Sequence, residues 1–392
     1  MRRWLFLAVL GVTSVLVVIE LINPKLFGDV VVYRSGGAAW MHGIPLYTRE
    51  FPSLLPFTYP PMAAVLFSVL AMVPKVAAIA VLSVAGLVAL SATTVLATRT
   101  WLAGVLAVAC ALAIDPVRST LMFGQVNLVL MGLVAADCLL PRTRYPRGML
   151  IGIAAAVKLT PAFFVLFFLV RRQYTPAVTA GATFAAVTGT GMLLAPADSV
   201  MYWHTTVFAT DRIGGAAFAT NQSLRGALTR LDLSPSSVQI TWLVLGVAVL
   251  ALAWRGARRT DPVVALLVVA AAGLLVSPVS WSHHWVWVVP ALAVWMVRTG
   301  KRAWPLAMAA VFGVGQFFMP NSDDRELAWT WWQHVVGNSY LLAAGAFLVW
   351  SCVARTERPE DALEDADRPE DALDDADRPT GALQDAERPM AG

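Results

Sequence analysis

The sequence predicts an all-α, polytopic membrane protein with about a dozen membrane segments. Of its 392 residues, 58% are hydrophobic and only 14% are charged, and the mean hydropathy is +0.66. A soluble fold of this size does not need so much apolar surface. Apolar runs long enough to cross about 30 Å of hydrocarbon recur along the chain. Because Pro and Gly interrupt several runs, some segments are expected to be half-length or re-entrant helices.

The longest apolar runs are predicted to be membrane helices. They are Trp4 to Ile22, Tyr174 to Ala195, Ile240 to Trp254, Val263 to Val276, His284 to Val297, Pro305 to Phe318 and Tyr340 to Val353. The first run follows two arginines but lacks a small-residue cleavage site, so it is interpreted as a retained signal anchor. The three cysteines lie in or beside apolar runs without metal-ligand spacing, which argues against a disulfide framework or a zinc site.

Charge divides the chain into a membrane domain, residues 1–354, and an acidic tail, residues 355–392. The tail carries 5 basic and 13 acidic residues, which leaves 24 basic and 12 acidic residues for the membrane domain. It repeats a decapeptide, RPEDALEDAD, RPEDALDDAD and RPTGALQDAE. Since the repeat has almost no large apolar residue, we expect a disordered, cytoplasmic tail that aids solubility, with docking of a partner as the alternative.

Basic residues predict the orientation, because they concentrate on the cytoplasmic side of membrane proteins. Clusters lie at Arg2/Arg3, Lys75, Arg99, Arg142/Arg144/Arg147, Arg171/Arg172, Arg255/Arg258/Arg259, Arg298/Lys301/Arg302 and Arg355. Both termini are then cytoplasmic. The external, periplasmic face receives the loops 23–59, 115–124, 196–238, 277–284 and 320–338, and with them the expected active site.

This orientation requires two apolar stretches, Val76 to Thr98 and Gly148 to Val170, to begin and end on the cytoplasmic side. A stretch of this length makes one full crossing but not two. The second contains AAVKLTP, in which Pro161 follows Lys158. We therefore expect a break between two short helices there, forming a re-entrant hairpin that lifts Lys158 toward an external cavity. Only Gly86 interrupts the first stretch.

Two ionisable residues are candidates for chemistry. Asp29 is an isolated acid just after the first apolar run, and it is either the cap of the next helix, a catalytic base, or both. Lys158 lies inside an apolar run, where a charge costs about 3 kcal/mol or more. It is expected to face a cavity and neutralise an anionic group such as phosphate, with a buried ion pair as the alternative.

The remaining candidates are polar or aromatic residues of the expected external loops. A cationic or imidazole group to hold a phosphate is offered by Arg118, Arg225, His283 and His284. Side chains suited to a sugar or acceptor are Tyr33, Tyr59, Gln125, Asn127, Asn221, Gln222 and Trp281. The aromatic residues are equally typical of an interfacial belt, and the amides and charges of a helix junction can simply satisfy one another.

A metal site at Asp29, His283 and His284 is the rival interpretation of the acid and the histidine pair. Neither an HExxH spacing nor a pair of acids supports it. The sequence therefore predicts chemistry without a metal or another cofactor.

Six motifs in order carry a family resemblance: GDVVVY, FTYPP, DPVR with GQVNLVL, AAVKLTP, NQSLRG and SPVSWSHH. Together they resemble glycosyltransferase family 87, the actinobacterial polyprenol-phosphate-mannose-dependent mannosyltransferases of the C-type glycosyltransferase superfold. The likeness covers about residues 5 to 350 and excludes the tail. The resemblance assigns the catalytic aspartate to Asp29, the lysine of the K-x-x-P element to Lys158 and the histidine pattern to His283 and His284.

The resemblance implies transfer of mannose from polyprenyl-phosphate mannose to a mannolipid or lipoglycan, such as a phosphatidylinositol mannoside or lipomannan, with inversion and an α-1,2 linkage. Asp29 would be the general base, and Lys158 would offset the charge on the departing phosphate. Two alternatives are a lipid or glycolipid flippase with an ionisable cavity and a related enzyme that uses a pentose donor. Clustering of polar groups on one face favours an enzyme over a transporter.

Overall fold

The protein is all-helical in the part that the computed structural model describes, which is residues 1–23, 26–48, 51–209, 212, 214–321 and 323–354. Within these residues the β-structure is limited to one isolated antiparallel bridge, between Asn221 and Trp281. The predicted all-α class is therefore confirmed. The acidic tail, residues 355–392, lies outside the described residues, so its disorder stays a prediction.

The first half of the chain forms nine α-helices within the described residues. They are α1 (Arg2–Ile22), α2 (Gly28–Met41), α3 (Pro61–Ala71), α4 (Lys75–Thr98), α5 (Trp101–Ala109), α6 (Asp115–Phe123), α7 (Asn127–Leu139), α8 (Met149–Val157) and α9 (Val165–Val170). Short 3-10 helices cover Ala111–Ala113 and Thr160–Phe164.

The second half continues the same pattern within the described residues. Its α-helices are α10 (Tyr174–Leu194), α11 (Pro196–His204), α12 (Leu224–Thr229), α13 (Pro235–Arg259), α14 (Pro262–Val276), α15 (Val288–Thr299), α16 (Ala303–Val314), α17 (Trp331–Gly337) and α18 (Ser339–Val353). Short 3-10 helices cover Thr206–Phe208, Ser282–His284, Gly315–Phe318 and Arg325–Ala328.

Four described helices, α1, α4, α10 and α13, are long and apolar enough to cross a membrane. Two bent pairs raise this number to as many as six spans: α6 with α7, at 118°, and α17 with α18, at 70°. Other apolar helices, such as α3, α14 and α15, are shorter. The chain is thus a membrane protein by the length and composition of its helices, and the expected dozen segments stay a prediction.

Helix α4 corrects the orientation argument at one point. It is one unbroken helix of 24 residues, so at about 1.5 Å per residue Lys75 and Arg99 lie about 36 Å apart. They cannot both mark one face. Lys75 has a local explanation instead, because its ammonium lies 2.9 Å from the buried carboxylate of Glu20 at the end of α1. A basic residue held by a partner in this way does not report the cytoplasmic side.

The predicted break in the second stretch is confirmed. Helix α8 ends at Val157, and Lys158 adopts an extended backbone with φ −148° and ψ 126°. The chain then continues through the 3-10 helix Thr160–Phe164 into α9. Since Pro161 lacks the amide hydrogen that a helix would need, the sequence Lys158 to Pro161 cannot continue α8. Lys158 consequently stands at the junction between two short helices, and the re-entrant hairpin stays a prediction.

The basic clusters of the second half lie together. The Arg171 guanidinium donates to the carbonyl of Thr260 at the end of α13, at 3.4 Å. Next to it, the guanidinium of Arg298 donates to the Asp261 carboxylate at 2.9 Å, which joins the end of α15 to the start of α14. Helix α14 then runs away from this basic end and finishes at Val276. The segment that carries the two histidines follows directly.

Close packing of α2 on α3 fixes the helix that carries Asp29. Gly37 of α2 lies so near α3 that a Cβ there would be 2.6 Å from the carbonyl oxygen of Phe67 and from the amide nitrogen of Ser68. At Gly36 a Cβ would be 2.4 Å from the ring of Phe57. Only glycine permits this approach, so the GG pair in GDVVVYRSGGAAW is a packing requirement.

Candidate active site

One cavity of about 920 Å³ brings together residues from distant parts of the chain. Its wall contains three charged side chains within the described residues: Asp29, Lys158 and Arg212. The sequence-predicted residues that line it are Asp29, Tyr59, Gln125, Asn127, Lys158, Trp281, His283 and His284. The other part of the wall is mostly apolar and includes Leu130, Met131, Phe163, Phe164 and Leu274.

Asp29 stands in the first turn of α2, which begins at Gly28 after Phe27 in the left-handed region, φ 61°. No side-chain cap hydrogen bond is made at this helix start. The interpretation of Asp29 as a helix cap is therefore wrong, because the helix begins at Gly28, two residues before the start that a cap at Asp29 would give. Its carboxylate lines the cavity instead.

The surroundings of Asp29 suit a general base. Burial raises the pKa of the Asp29 carboxyl to about 6, while the Lys158 ammonium and a hydrogen bond with the Gln125 side chain act in the opposite direction. Burial disfavours the charged form, whereas a nearby cation and a hydrogen-bond donor favour it. A base is most effective when its pKa lies close to the working pH, so the balance leaves Asp29 ionised and still basic near neutrality.

The orientation of Gln125 is fixed by two tyrosines. The hydroxyl of Tyr33 donates to Gln125 Oε1 at 2.9 Å, and that of Tyr59 donates to the same oxygen at 3.3 Å. With its oxygen committed, the amide nitrogen of Gln125 is the end that remains for the Asp29 carboxylate. Tyr33 is fully buried and does not line the cavity. It acts through Gln125, so its predicted contact with a sugar is not supported.

A tight turn presents the residues that follow α6. Gly124 ends this helix with φ 71°, and a Cβ there would lie 2.0 Å from a methyl group of Val30 in α2. A side chain is thus excluded by backbone conformation and by space. The chain bends by 118° between α6 and α7, which places Gln125 and Asn127 in the cavity wall.

Lys158 is held by neighbours that carry no charge. Its ammonium donates to Asn127 Oδ1 at 2.9 Å and contacts His284 Nε2 at 3.3 Å. It also lies 5.8 Å from the centre of the Tyr59 ring. Burial lowers the pKa of Lys158 to about 8, and Asp29 acts to raise it. Lys158 is therefore a cation that faces the cavity, as predicted, and none of its described contacts is a salt bridge.

The histidine pair is kept neutral. Burial, followed by the charge of Lys158, lowers the pKa of His283 to about 3 and that of His284 well below its usual range. Because an ammonium only donates, His284 Nε2 must be the acceptor in its contact with Lys158. The carbonyl oxygen of His283 accepts from Thr120 Oγ1 at 2.7 Å and from Asn127 Nδ2 at 2.9 Å. Asn127 thus bridges Lys158 to the histidine segment, and this use occupies both ends of its amide.

Besides Tyr33, four sequence-predicted site residues lie outside the cavity wall: Arg118, Arg225, Asn221 and Gln222. Arg118 is paired with Asp115, at 3.1 Å. Asn221 Oδ1 accepts from the amide of Ser280 at 2.9 Å, and Nδ2 donates to the Ala216 carbonyl at 2.9 Å. The sequence predicted that these four side chains contact the phosphate or the sugar. The structure corrects this prediction, since it does not bring them to the cavity.

The NQSLRG segment instead supports the cavity from behind. Gln222 Nε2 donates to the carbonyls of Ala219, at 2.8 Å, and Gly337, at 2.7 Å. Both Asn221 and Gln222 are fully buried. Asn221 fastens residues 219–223 to the segment around Ser280, which carries Trp281 into the cavity wall, and Gln222 ties them to Gly337.

Arg212 is the cavity residue that the sequence analysis did not find. Its guanidinium donates to the carbonyl of Tyr47 at 2.9 Å. A signal existed, because Arg212 is a cation in the expected external loop 196–238, away from the predicted cytoplasmic clusters.

The rival interpretation of the acid and the histidine pair is a metal site. Among the described residues, no group of three or more His, Cys, Asp or Glu side chains is arranged to hold a metal ion. The absence of a cofactor stays an expectation from the sequence.

Comparison with known proteins agrees with the family resemblance seen in the sequence motifs. The model of glycosyltransferase family 87 matches residues 57–278. A phosphatidylinositol mannoside α-(1-2)-mannosyltransferase of Mycolicibacterium smegmatis, dependent on polyprenol-phosphate-mannose, is 40% identical, with 82% of each chain covered. Its namesake from Mycobacterium tuberculosis is 38% identical, covering 85% of this chain and 88% of the relative.

A pentamannoside mannosyltransferase of the same donor dependence, also from Mycobacterium tuberculosis, is 33% identical over 86% of this chain and 83% of the relative. No solved structure matches the chain significantly.

Proposed function

Since this chain belongs to glycosyltransferase family 87 and is a membrane glycosyltransferase, we propose that it transfers mannose from polyprenyl-phosphate mannose to a phosphatidylinositol mannoside or a related lipoglycan. The bond formed is an α-1,2 linkage. The names of the similar proteins support this donor, acceptor and linkage. The observation that carries the mechanism is the placement of Asp29 and Lys158 in the wall of one cavity.

Asp29 is the base in this proposal. Its carboxylate takes the proton of the acceptor hydroxyl as that oxygen attacks the anomeric carbon of the β-mannosyl phosphate. The bond between the anomeric carbon and the phosphate oxygen breaks in the same step, and polyprenyl phosphate leaves. One displacement inverts the configuration, so a β-linked donor gives an α-linked product. A second carboxylate, which a retaining mechanism would use as nucleophile, is not required.

Lys158 stabilises the departing phosphate in this proposal. Its ammonium donates to two neutral partners, Asn127 and His284, so its positive charge is available to an anionic ligand. Fixed donors aimed at developing charge contribute several kcal/mol in a water-poor site. Because this cation compensates the phosphate, the mechanism needs no metal. His283 and His284, as neutral groups, can donate from the ring nitrogens that carry a proton.

The rest of the cavity matches the remaining parts of the two substrates. The apolar wall at Leu130, Met131, Phe163 and Phe164 accommodates the first isoprene units of the donor. Trp281, which lines the cavity, and Tyr59 offer ring surfaces for a mannose face. Gln125 and Asn127 set the positions of Asp29 and Lys158 rather than reading the sugar.

The proposed orientation places the cavity on the periplasmic side. Helix α1 is 21 residues long, which puts Arg2 and Arg3 about 31 Å from its end, and α2 with Asp29 follows that end. The basic end of α13 to α15 likewise lies away from the histidine segment. Both termini are then cytoplasmic, and the shorter helices complete a C-type membrane fold of about a dozen segments.

A reconstituted assay tests this function. Purified protein receives radiolabelled polyprenyl-phosphate mannose and a phosphatidylinositol mannoside, and the labelled product is digested with an α-1,2-specific mannosidase. We expect transfer, release of the label by that enzyme, and an α anomer by NMR coupling. Transfer from a polyprenyl-phosphate pentose but not from the mannose donor would contradict the assignment. The glycolipid that accumulates in a deletion strain identifies the natural acceptor.

A further inference from the structure

Two substrates with one phosphate each meet two cations in the described wall of the cavity. The proposed donor is a phosphodiester that joins a polyprenol to the anomeric carbon of mannose, and the proposed acceptor contains the phosphodiester of phosphatidylinositol. The charged residues of the described wall are the cations Lys158 and Arg212 and the single acid Asp29. Lys158 lines the same cavity as the base and is assigned to the leaving phosphate in the proposed mechanism. Arg212 is therefore left without a role in the bond-breaking step.

Arg212 is built into the wall and still has donors to offer. Nη1 donates to the Tyr47 carbonyl at 2.9 Å. Its Nε is buried and has no hydrogen-bond partner in the described part of the protein. A buried donor without a partner costs about 1–3 kcal/mol, so a ligand oxygen brought to this guanidinium would be bound favourably. An arginine presents five N–H groups in a rigid fork that suits phosphate oxygens.

The position of Arg212 is supported by a chain of contacts that leads to the site. Tyr47 holds Arg212 by its carbonyl, and the Tyr47 hydroxyl donates to the carbonyl of Tyr59 at 2.7 Å. The ring of Tyr59 lies beneath Lys158. In the described part of the protein, Lys158 and Arg212 have no hydrogen-bond partner in common. The two cations thus belong to one framework and are held by different partners.

We propose that Arg212 is a second anion subsite in this cavity, which binds the phosphodiester of the phospholipid acceptor while Lys158 binds the phosphate of the donor. The inference rests on the proposed function. It makes Arg212 a specificity residue for acceptors that carry a phosphodiester at the headgroup. A neutral mannoside reaches Asp29 without using Arg212.

The test compares two acceptors that differ in this group. One is a phosphatidylinositol mannoside, and the other is an uncharged alkyl α-mannoside. Each is offered with labelled polyprenyl-phosphate mannose to the wild type, Arg212→Gln, Arg212→Lys and the control Arg144→Gln, in which the arginine is exposed and outside the cavity. Binding of both acceptors without donor is measured in parallel on the same purified proteins.

For Arg212→Gln we expect KM and Kd for the phospholipid acceptor to rise roughly ten-fold or more, which corresponds to losing one charge-assisted hydrogen bond. Values for the alkyl mannoside and KM for the donor should change less than about two-fold. Arg212→Lys should be intermediate, because it keeps the charge but not the fork. Arg144→Gln should match the wild type with both acceptors.

Equal losses with both acceptors, or no loss with either, would overturn the proposal. If the wild type makes no product, the proposed function fails, and the binding measurements still decide the role of Arg212. If Arg212→Gln does not fold, two measurements remain: Arg212→Lys and the salt dependence of wild-type binding. Added salt should weaken the phospholipid and spare the alkyl mannoside, and equal sensitivity would contradict the subsite.

Discussion

Replacing Gln125 should move the pH dependence of the reaction without removing the base. In Gln125→Leu the carboxylate of Asp29 loses the amide that favours its charged form. A hydrogen bond to a charged group contributes about 1.5–3 kcal/mol, and one pKa unit corresponds to about 1.4 kcal/mol. The pKa of Asp29 should therefore rise by about 1–2 units from its value of about 6.

The direction in which the pH profile shifts follows from the protonation state of Asp29. Asp29 must be ionised to accept a proton, so kcat/KM falls as the pH drops through its pKa. A shift of about 1.5 units reduces the ionised fraction at pH 7 by roughly four-fold. Tyr33→Phe should produce a smaller shift in the same direction, since Tyr59 still donates to Gln125 Oε1 at 3.3 Å.

The assay is a profile of kcat/KM against pH between about 5 and 9 with the labelled donor. Tyr174→Phe serves as a matched control, because this tyrosine is 63% exposed and lies outside the cavity wall. We expect the control profile to coincide with the wild type. A loss in Gln125→Leu that is the same at every pH would refute the reasoning and indicate a direct contact with substrate.

Two further outcomes follow from the same geometry. The alkaline limb of the wild-type profile should fall near pH 8, where Lys158 loses its proton. In Lys158→Arg this limb should move beyond the measured range, because arginine stays charged. An unchanged limb would exclude Lys158 as its origin. Gly37→Ala should destabilise the protein by about 1–3 kcal/mol, since the added methyl meets the backbone of α3 at 2.6 Å. Gly181→Ala, with nothing within 4 Å of the new methyl, should melt at the wild-type temperature or slightly above; equal melting of both variants would contradict the packing argument.

Local sequence rules were sufficient to predict the helical class and to single out Asp29 and Lys158 as the two central residues of the site. The longest apolar runs each correspond to one helix, namely α1, α10, α13, α14, α15, α16 and α18, because each run must satisfy its own backbone. Lys158 could be identified since a lysine among apolar residues has few structural explanations. The break at Pro161 followed from the geometry of proline alone.

Most of the wrong predictions concern polar residues whose hydrogen-bond or ion-pair partners lie far away in the sequence. Asn221 and Gln222 have the composition of a sugar site, yet their partners are backbone groups near Ser280 and Gly337, far away in sequence. Lys75 looked like a cytoplasmic marker, but Glu20 of another helix accounts for it. In each case the sequence shows the polar group and not the neighbour that satisfies it.

The role of Asp29 as the base is the central claim, and Asp29→Asn tests it most directly. The amide keeps the shape of the side chain but cannot accept the proton, so transfer from labelled polyprenyl-phosphate mannose should fall by about 10²–10⁴-fold. Folding and donor binding should be retained. Asp232→Asn, an exposed change outside the cavity, should leave transfer unchanged. More than about a tenth of wild-type transfer in a folded Asp29→Asn protein would contradict the mechanism.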